Sequence, residues 1–509
     1  MCSAARIPPP DIPGLQILSL TATNKQNYSF PGNPLLDISD DTYVNMNFCN
    51  VSVTYTHPGW NDEIHVTVYL PVEGWNGRFQ ATGGGGFVTG GESLAIFYMV
   101  PGLQDGYAVA TTDGGHSDDL LTAATGAGDW ALASPGNVNW PLLLDFAYVA
   151  LHDMANIGKA VTSAYFGTPP HHSYFHGGST GGRQGMMLAQ RYPKDFDGVV
   201  SICPAMNWAQ FILASYWPQF VMNQIGAYPE GCELDAITKA AIAACDGLDG
   251  VEDGIISLPG LCEFSAHSLV GKAFNCNGRP SIFTSAGATV AEAAWTGPRS
   301  STGEWQWFGV AKDAELGVNG IGIASTVCED GECRGAPFTI PVSWIRHFIK
   351  RDPEFDVSSM SHADWDSVVH ASRNEYDSVI GTADPDLSEF RKSGAKLLSW
   401  HGLRDELIPV NGSIRYYDQV MEQDPAVHDY FRLFLVPGAG HSWIEGPTPK
   451  NMMEVIVSWV EEGIVPDTLR GIGKDGRDTM VERDLCMYPQ VQIYESGDPT
   501  VATSFKCAK

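Results

Sequence analysis

Gly177-Gly178-Ser179-Thr180-Gly181 fits the pattern G-x-S-x-G, in which a sharp strand-to-helix turn needs small flanking residues so that a serine hydroxyl stands clear of the backbone as a nucleophile. In a chain with 55 glycines the pentapeptide also arises by chance, so its flanks matter. Tyr174-Phe175-His176 reads as the incoming strand, and Gln184 through Tyr192 as a helix whose N-terminal dipole favours an oxyanion at the Thr180 N–H. A nucleophilic serine needs a base, and the base an acid to orient it; in this setting they follow in the order Ser, Asp, His at the ends of later strands. Asp405 lies just beyond the strand-like run 396–400, and His441 just beyond the run 431–436, in that order. His401 is the rival base, with a purely structural role as its other reading. An ordinary ion pair with Arg404 is the other reading of Asp405. The second oxyanion donor is expected from the run Gly83-Gly84-Gly85-Gly86, with Gly84 and Gly85 as candidates. No G-x-x-x-x-G-K-[ST] and no basic partners accompany that run, which argues against a nucleotide role.

A second constellation is Cys245-Asp246-Gly247-Leu248-Asp249-Gly250-Val251-Glu252-Asp253-Gly254-Ile255. Asp246, Asp249 and Asp253 stand at spacings of three and four among glycines that let the chain fold round an ion, and oxygen donors in that number suit calcium. It is not an EF-hand, because Leu248 and Ser257 occupy positions where that loop needs ligands. Its other reading is an acidic turn, closed by Cys245 and Cys262.

These residues need a scaffold. Ile64, Val66, Val68 and Leu70 alternate with polar or aromatic neighbours as in a half-buried strand, and the segments 78–82 and 107–112 read as further strands running into glycine loops. Leu144, Tyr148, Leu151 and Ile157 recur at mostly helical spacing ahead of the Ser179 turn. Strand, helix, strand, turn, helix predicts a doubly wound, mostly parallel α/β sheet. After Pro204 the texture becomes aromatic-rich, cysteine-bearing and Gly- and Pro-interrupted until about Asp386. The catalytic domain is therefore expected from residues 1–207 and 386–509, with a lid domain inserted at 208–385. Residues 471–509 read as a surface arm tied back by Cys486 and Cys507.

The charge, 30 basic against 59 acidic residues for a net −29, repels nucleic-acid phosphates and anionic membranes, and attracts calcium. No run of about 18 apolar residues is present, so no membrane span is expected. Eleven cysteines, several bracketing short polar loops (Cys245/Cys262, Cys328/Cys333, Cys486/Cys507), suggest disulfides, with Cys203 in a buried strand as the odd one. Sequons at Asn27, Asn50 and Asn411 also fit a secretory route. The first residues lack a signal-peptide core, so a secreted chain would have had its signal removed. The chain is expected to act as a monomer or homodimer.

Together these features resemble the tannase and feruloyl esterase family, which also includes mono(hydroxyethyl) terephthalate hydrolases. The resemblance rests on the Ser179 turn with Gly181-Gly182-Arg183-Gln184, the loop Asp246 to Ile255, Asp386-Leu387-Ser388-Glu389-Phe390 leading to His401-Gly402-Leu403-Arg404-Asp405, and Pro437-Gly438-Ala439-Gly440-His441. It implies an α/β-hydrolase fold with a lid and a triad of Ser179, Asp405 and His441. It further implies structural calcium held by the side chains of Asp246, Asp249 and Asp253 and the carbonyls of Val251 and Ile255, and a disulfide between Cys2 and Cys49 besides Cys245–Cys262 and Cys486–Cys507. The partners of Cys232 and Cys276 stay open. The family usually carries cysteines directly before the serine and directly after the histidine; here Gly178 and Ser442 stand there, so order in the histidine loop is expected from packing by Trp443.

The expected chemistry is hydrolysis of small aromatic esters (feruloyl, galloyl or related phenolic) through an acyl-enzyme. Trp305, Trp307, Phe308, Trp344 and Phe348 are candidates for a stacking pocket, or else plain core. A hydrolase or acyltransferase for an aromatic secondary metabolite, a depside or lactone, and a non-catalytic binding protein on the same fold are the alternatives.

Overall fold

The computed structural model describes residues 2–31, 43–117, 126–317, 322–441 and 445–509. The period-2 runs become the strands of one nine-stranded sheet: β1 (Gln16–Phe30), β2 (Tyr43–Thr56), β3 (Ile64–Pro71), β4 (Arg78–Thr82), β5 (Ala108–Thr112), β6 (His172–Gly178), β7 (Gly198–Ile202), β8 (Lys396–Gly402) and β9 (Phe431–Val436). Their order is β1-β2-β3-β5-β4-β6-β7-β8-β9. The first three strands and the β3–β5 pair are antiparallel, while β5, β4, β6, β7, β8 and β9 are mutually parallel.

Successive residues of the parallel strands face opposite sides, and both sides are apolar, as a sheet covered on both faces requires. Phe175, Val199, Leu397 and Leu433 join the cluster that includes Leu151, Met154 and Ile157 of helix Val149–Phe166. Their neighbours Tyr174, Val200, Leu398 and Phe434 join the other cluster, with Met99 and Val100 of helix Glu92–Gln104 and Ile456. The doubly wound architecture expected from the strand–helix alternation is thus the α/β-hydrolase arrangement, with an antiparallel N-terminal flank.

Because the six parallel strands point the same way, the residues just past Thr82, Gly178, Ile202, Gly402 and Val436 emerge along one edge of the sheet. The chain leaves the sheet after Ile202 and returns at Lys396, in register with its neighbour (Ser201 opposite Ser399). The described residues between form helices and two small hairpins, one of them closed by the cross-strand disulfide Cys328–Cys333. Part of their apolar interior is their own (Leu234, Ile237, Val290, Leu316). Another part is continuous with the sheet side: Phe87, Trp130 and Phe146 pack with Trp208, Trp344, Phe348 and Trp365. Near the C-terminus Thr468–Lys474 pairs with Met480–Cys486, and Val491–Tyr494 with Phe505–Ala508. Disulfides join Cys2–Cys49, Cys232–Cys276, Cys245–Cys262, Cys328–Cys333 and Cys486–Cys507. Buried Cys203 lies outside the five bridges.

The turn after β6 leaves no room for side chains. A Cβ on Gly177 would sit 2.7 Å from the Gly181 carbonyl carbon and oxygen, and one on Gly182 2.4 Å from the Ile202 oxygen. Backbone atoms cannot swing aside as a flexible side chain does. Gly177→Ala is therefore expected to destabilise the fold by about 1–3 kcal/mol, read as a lowered urea midpoint at unchanged slope.

Candidate active site

Ser179 sits at φ 59°, ψ −121°, a conformation that costs a non-glycine residue of order 1–3 kcal/mol and persists only where its surroundings over-determine it. Three backbone bonds do so: Ser179 N–H donates to Ile202 O at 2.9 Å, and Ser179 O accepts from Arg183 N–H at 3.0 Å and Ala205 N–H at 3.1 Å. The first fixes the turn to the end of β7, the second starts the helix Thr180–Arg191. The hydroxyl is left at the sheet edge, 3.0 Å from His441 Nε2. His441 Nδ1 lies 2.8 Å from Asp405 Oδ2. The structure thus brings Ser179, His441 and Asp405 into one hydrogen-bonded chain.

Asp405 is 1 % exposed. Its Oδ1 accepts the Leu407 and Ile408 N–H groups at 3.0 and 2.8 Å, and its Oδ2 faces His401 Nε2 at 3.1 Å besides His441. Burial pushes its carboxyl up, but the two imidazoles and their hydrogen bonds outweigh burial and hold it well below the usual carboxylate range. His441 carries the mirror effect. Burial pushes the imidazole down, the Asp405 charge and hydrogen bond push it up, and the net shift is upward.

His401, the rival base, is fully buried and faces the same Asp405 oxygen as His441. Its Nε2 lies against Asp405 and the Ile408 carbonyl, so that nitrogen is the donor, and Nδ1 faces the Ser413 hydroxyl at 2.9 Å. With both nitrogens engaged it orients the acid. Arg404 does not pair with Asp405; it reaches Glu315 and Glu445 at 2.9 and 3.1 Å.

The glycine run requires a correction. Gly84 N–H donates to Gln184 Oε1 at 3.1 Å and Gly85 N–H to Val88 O at 3.1 Å, so neither amide expected as the oxyanion donor is available. The loop consumes them in folding back on itself and on the serine helix. Gly86 carries the remaining amide of the run; its carbonyl accepts the Thr180 hydroxyl at 2.7 Å, which sets it beside the turn. The N–H groups of Gly86 and Thr180 have no partner among the described residues. Gln184 Nε2 also donates to Thr89 O at 2.7 Å, so one buried side chain staples the glycine loop to the helix. Arg183, fully buried, donates to the Ala147 and Phe146 carbonyls at 2.9 Å each. Burial pulls its guanidinium down to about 9. Gln184 and Arg183 were legible only as part of the motif, since nothing local tells what they reach.

The aromatic candidates divide. Trp344 and Phe348 are fully buried in the apolar cluster with Trp208 and Phe87 and are core. Trp305 is 41 % exposed and stacks on buried Trp307, with Phe308 edge-on and the Arg415 guanidinium over both indoles. Ser442 and Trp443 lie outside the described residues.

The acidic loop folds tightly. Asp246 accepts the Asp253 and Gly254 N–H groups at 3.0 and 2.9 Å, Asp249 the Val251 N–H at 3.0 Å, and Asp253 the Ile255 N–H at 3.2 Å. Asp253 also meets Arg483, from the C-terminal hairpin, at 3.0 Å. Burial raises the Asp253 carboxyl to about 6, with Arg483 opposing and Asp249 and Asp246 adding to the rise. The loop abuts the histidine loop: a Cβ on Gly438 would lie 2.7 Å from Ile255 Cδ1.

A mostly parallel sheet whose carboxyl edge joins a strained serine turn, a histidine and a buried aspartate defines an α/β-hydrolase. The sequence profile described as tannase and feruloyl esterase matches residues 49–508. A probable feruloyl esterase of Arthroderma benhamiae is 43% identical over 99% of this chain and 93% of its own length, and a tannase of Aspergillus oryzae 29% identical over 90% and 84%. The solved tannin acyl hydrolase of Aspergillus niger superposes with a TM-score of 0.87 at 27% identity, covering 99% of this chain and 94% of that one. Feruloyl esterase B of Aspergillus oryzae gives 0.78 at 26%, covering 98% and 97%. The chain belongs to the tannase and feruloyl esterase family, and its class is that of the carboxylic ester hydrolases.

An upward-shifted His441 has a kinetic consequence. Were His441 to serve as a general base, which works when neutral, kcat/KM would rise with pH through a limb lying above ~6.5, the ordinary histidine value. Asp405→Asn is expected to move that limb down and to lower kcat by about 10⁴-fold; pH-rate profiles of the two enzymes check both.

Proposed function

We propose that this protein hydrolyses esters of aromatic acids, feruloyl or galloyl in type, through a Ser179–His441–Asp405 triad and an acyl-enzyme. The observation that carries the mechanism is the chain Ser179 Oγ, His441 Nε2, His441 Nδ1, Asp405 Oδ2, with contacts of 3.0 and 2.8 Å. Ser179 Oγ attacks the ester carbonyl carbon while His441 Nε2 takes the hydroxyl proton; the tetrahedral oxyanion receives the Thr180 N–H, with the Gly86 N–H as second donor. Collapse breaks the bond to the alcohol oxygen, which leaves with the proton from His441. Water then attacks the acyl-enzyme with His441 again as base, releasing the acid and restoring Ser179. Asp405 stays ionised throughout and stabilises the imidazolium. The aromatic acyl group is supported by the names of the relatives and by the partly exposed Trp305 on Trp307 within the inserted residues.

The residues of loop 246–255 fit a structural calcium. Asp246, Asp249 and Asp253 bring three carboxylates into one tight loop whose only described cationic neighbour, Arg483, meets just Asp253, and hard oxygen donors are what calcium takes. The three carboxylates and the Val251 and Ile255 carbonyls would hold the ion, which would neutralise the cluster and stiffen the loop that supports Gly438. We read residues 208–385 as a lid on the catalytic domain. Five disulfides suit an oxidising compartment, and exposed Asn27 and Asn411 suit glycosylation on a secretory route. Among the described residues no helix is long and apolar enough to cross a membrane.

Ser179→Ala is expected to abolish hydrolysis of methyl ferulate, methyl gallate and nitrophenyl esters, and labelling by a fluorophosphonate; unchanged hydrolysis would sink the mechanism. Chelation with EGTA is expected to lower Tm by several degrees, reversibly on adding calcium, and Asp249→Asn to remove that response. A melt indifferent to EGTA in the wild type would count against the ion.

A further inference from the structure

The loop after β8 does more than present Asp405. Its Leu403 N–H donates to Val436 O at 2.9 Å, its Arg404 N–H to Ala439 O at 3.1 Å, and the Glu406 carboxylate accepts the His441 N–H at 2.9 Å. Three contacts, at the end of β9 and two further points, thus template the histidine loop on the acid loop, and the last falls on the base itself. The two loops approach closely at that point: a Cβ on Gly440 would lie 3.0 Å from Glu406 Oε2 and 3.2 Å from Glu445 Oε2. Resting on the triad proposed above, we propose that Glu406 is a positioning residue for His441, holding the backbone of the base while its carboxylate supplies a second negative charge beside the imidazolium that forms during turnover.

Geometry and electrostatics agree. A backbone N–H next to a reacting side chain is anchored most firmly by an ionised acceptor, since charge-assisted bonds are roughly twice as strong as neutral ones. The Glu406 charge raises the affinity of His441 for a proton, after the larger effects of burial and of Asp405. Glu406 is itself pushed up to about 7, by burial first and then by Asp405, with His441 opposing, so its carboxylate is charged on the alkaline side of that value and is favoured in the charged form when an imidazolium forms beside it. Among the described residues the charged groups shown near it are Asp405 on its own loop and His441 and Glu445 on the histidine loop. Glu315 and Asp313 of the inserted residues lie beyond, joined through Arg404, whose Nε donates to Asp313 O at 2.9 Å and whose terminal nitrogens reach Glu315 and Glu445. Arg404 is the one permanent cation of this set. It is committed to the outer carboxylates, which leaves Glu406 to His441. Asp405 and Glu406 therefore divide the work: one aligns the ring through Nδ1, the other fixes the main chain that carries the ring.

The test separates charge from anchoring. Glu406→Gln keeps an oxygen that can accept the His441 N–H but loses the charge; Glu406→Leu loses both. For Glu406→Gln the acidic limb of kcat/KM is expected to move down by about half a pH unit or more, with kcat at alkaline pH within about threefold of wild type. For Glu406→Leu the same limb shift is expected with kcat at least tenfold lower and KM within about twofold, because a misplaced base slows the chemical step and not binding. A merely structural residue would lower Tm without moving the limb, and a wild-type limb in Glu406→Gln overturns the proposal even if Glu406→Leu fails to fold. Fluorophosphonate labelling of the wild type, run alongside, distinguishes the failures. An unlabelled wild type refutes the serine mechanism, whereas labelling of all three enzymes at one rate with one pH limb refutes the role of Glu406 alone.

Discussion

The left-handed conformation of Ser179 is the constraint on which the active edge of this molecule depends. A serine at φ 59° is tolerable because its N–H and carbonyl are both claimed, by Ile202 on the next strand and by Arg183 and Ala205. Those bonds form only if β6 and β7 are in register and if no side chain intrudes where Gly177 and Gly182 meet backbone. The register is in turn set by the apolar alternation of the parallel strands, with Tyr174 and Val200 on one face and Phe175 and Val199 on the other. Slipping either strand by one residue would invert its buried faces.

Around that turn the histidine loop is held from several directions by segments far apart in sequence. The acid loop contacts it through Leu403, Arg404 and Glu406. Ile255 of the acidic loop fills the space over Gly438, where a side chain would collide, and Arg483 of the C-terminal hairpin meets the same acidic loop at Asp253. Arg404 connects this assembly to Asp313 and Glu315 of the inserted residues. An imidazole acting as the base proposed here must be placed to a fraction of an ångström. With Gly178 carrying no sulfur ahead of Ser179, the placement of His441 rests on hydrogen bonds, an ion-pair network and packing.

The charges near the site also sort themselves by burial. Asp405 remains ionised in a fully buried position because two backbone N–H groups and two imidazoles face its two oxygens. His401, legible in sequence only as a competitor for the base, is the group that makes the second oxygen's environment complete. The buried Arg183 solves the opposite problem with two carbonyls and the faces of Phe146 and Trp208.

Taken alone, the amino-acid order singled out Ser179, Asp405 and His441 as one constellation, the doubly wound sheet and the acidic loop. Each of these is a local pattern: a turn that admits only glycines, an alternation of period two, a set of carboxylates within a few residues. The tertiary structure decided what no local pattern encodes. Gly84 and Gly85 lost their amides to Gln184 and Val88, Trp344 and Phe348 became core beside Phe87, Cys232 met Cys276, and Glu406 met the backbone of His441. The physical reason is the same in each case. A hydrogen bond or a buried contact is a property of two groups, and whether the second stands three residues away, as Val88 does from Gly85, or a hundred, as Gln184 does from Gly84, only the folded chain selects it.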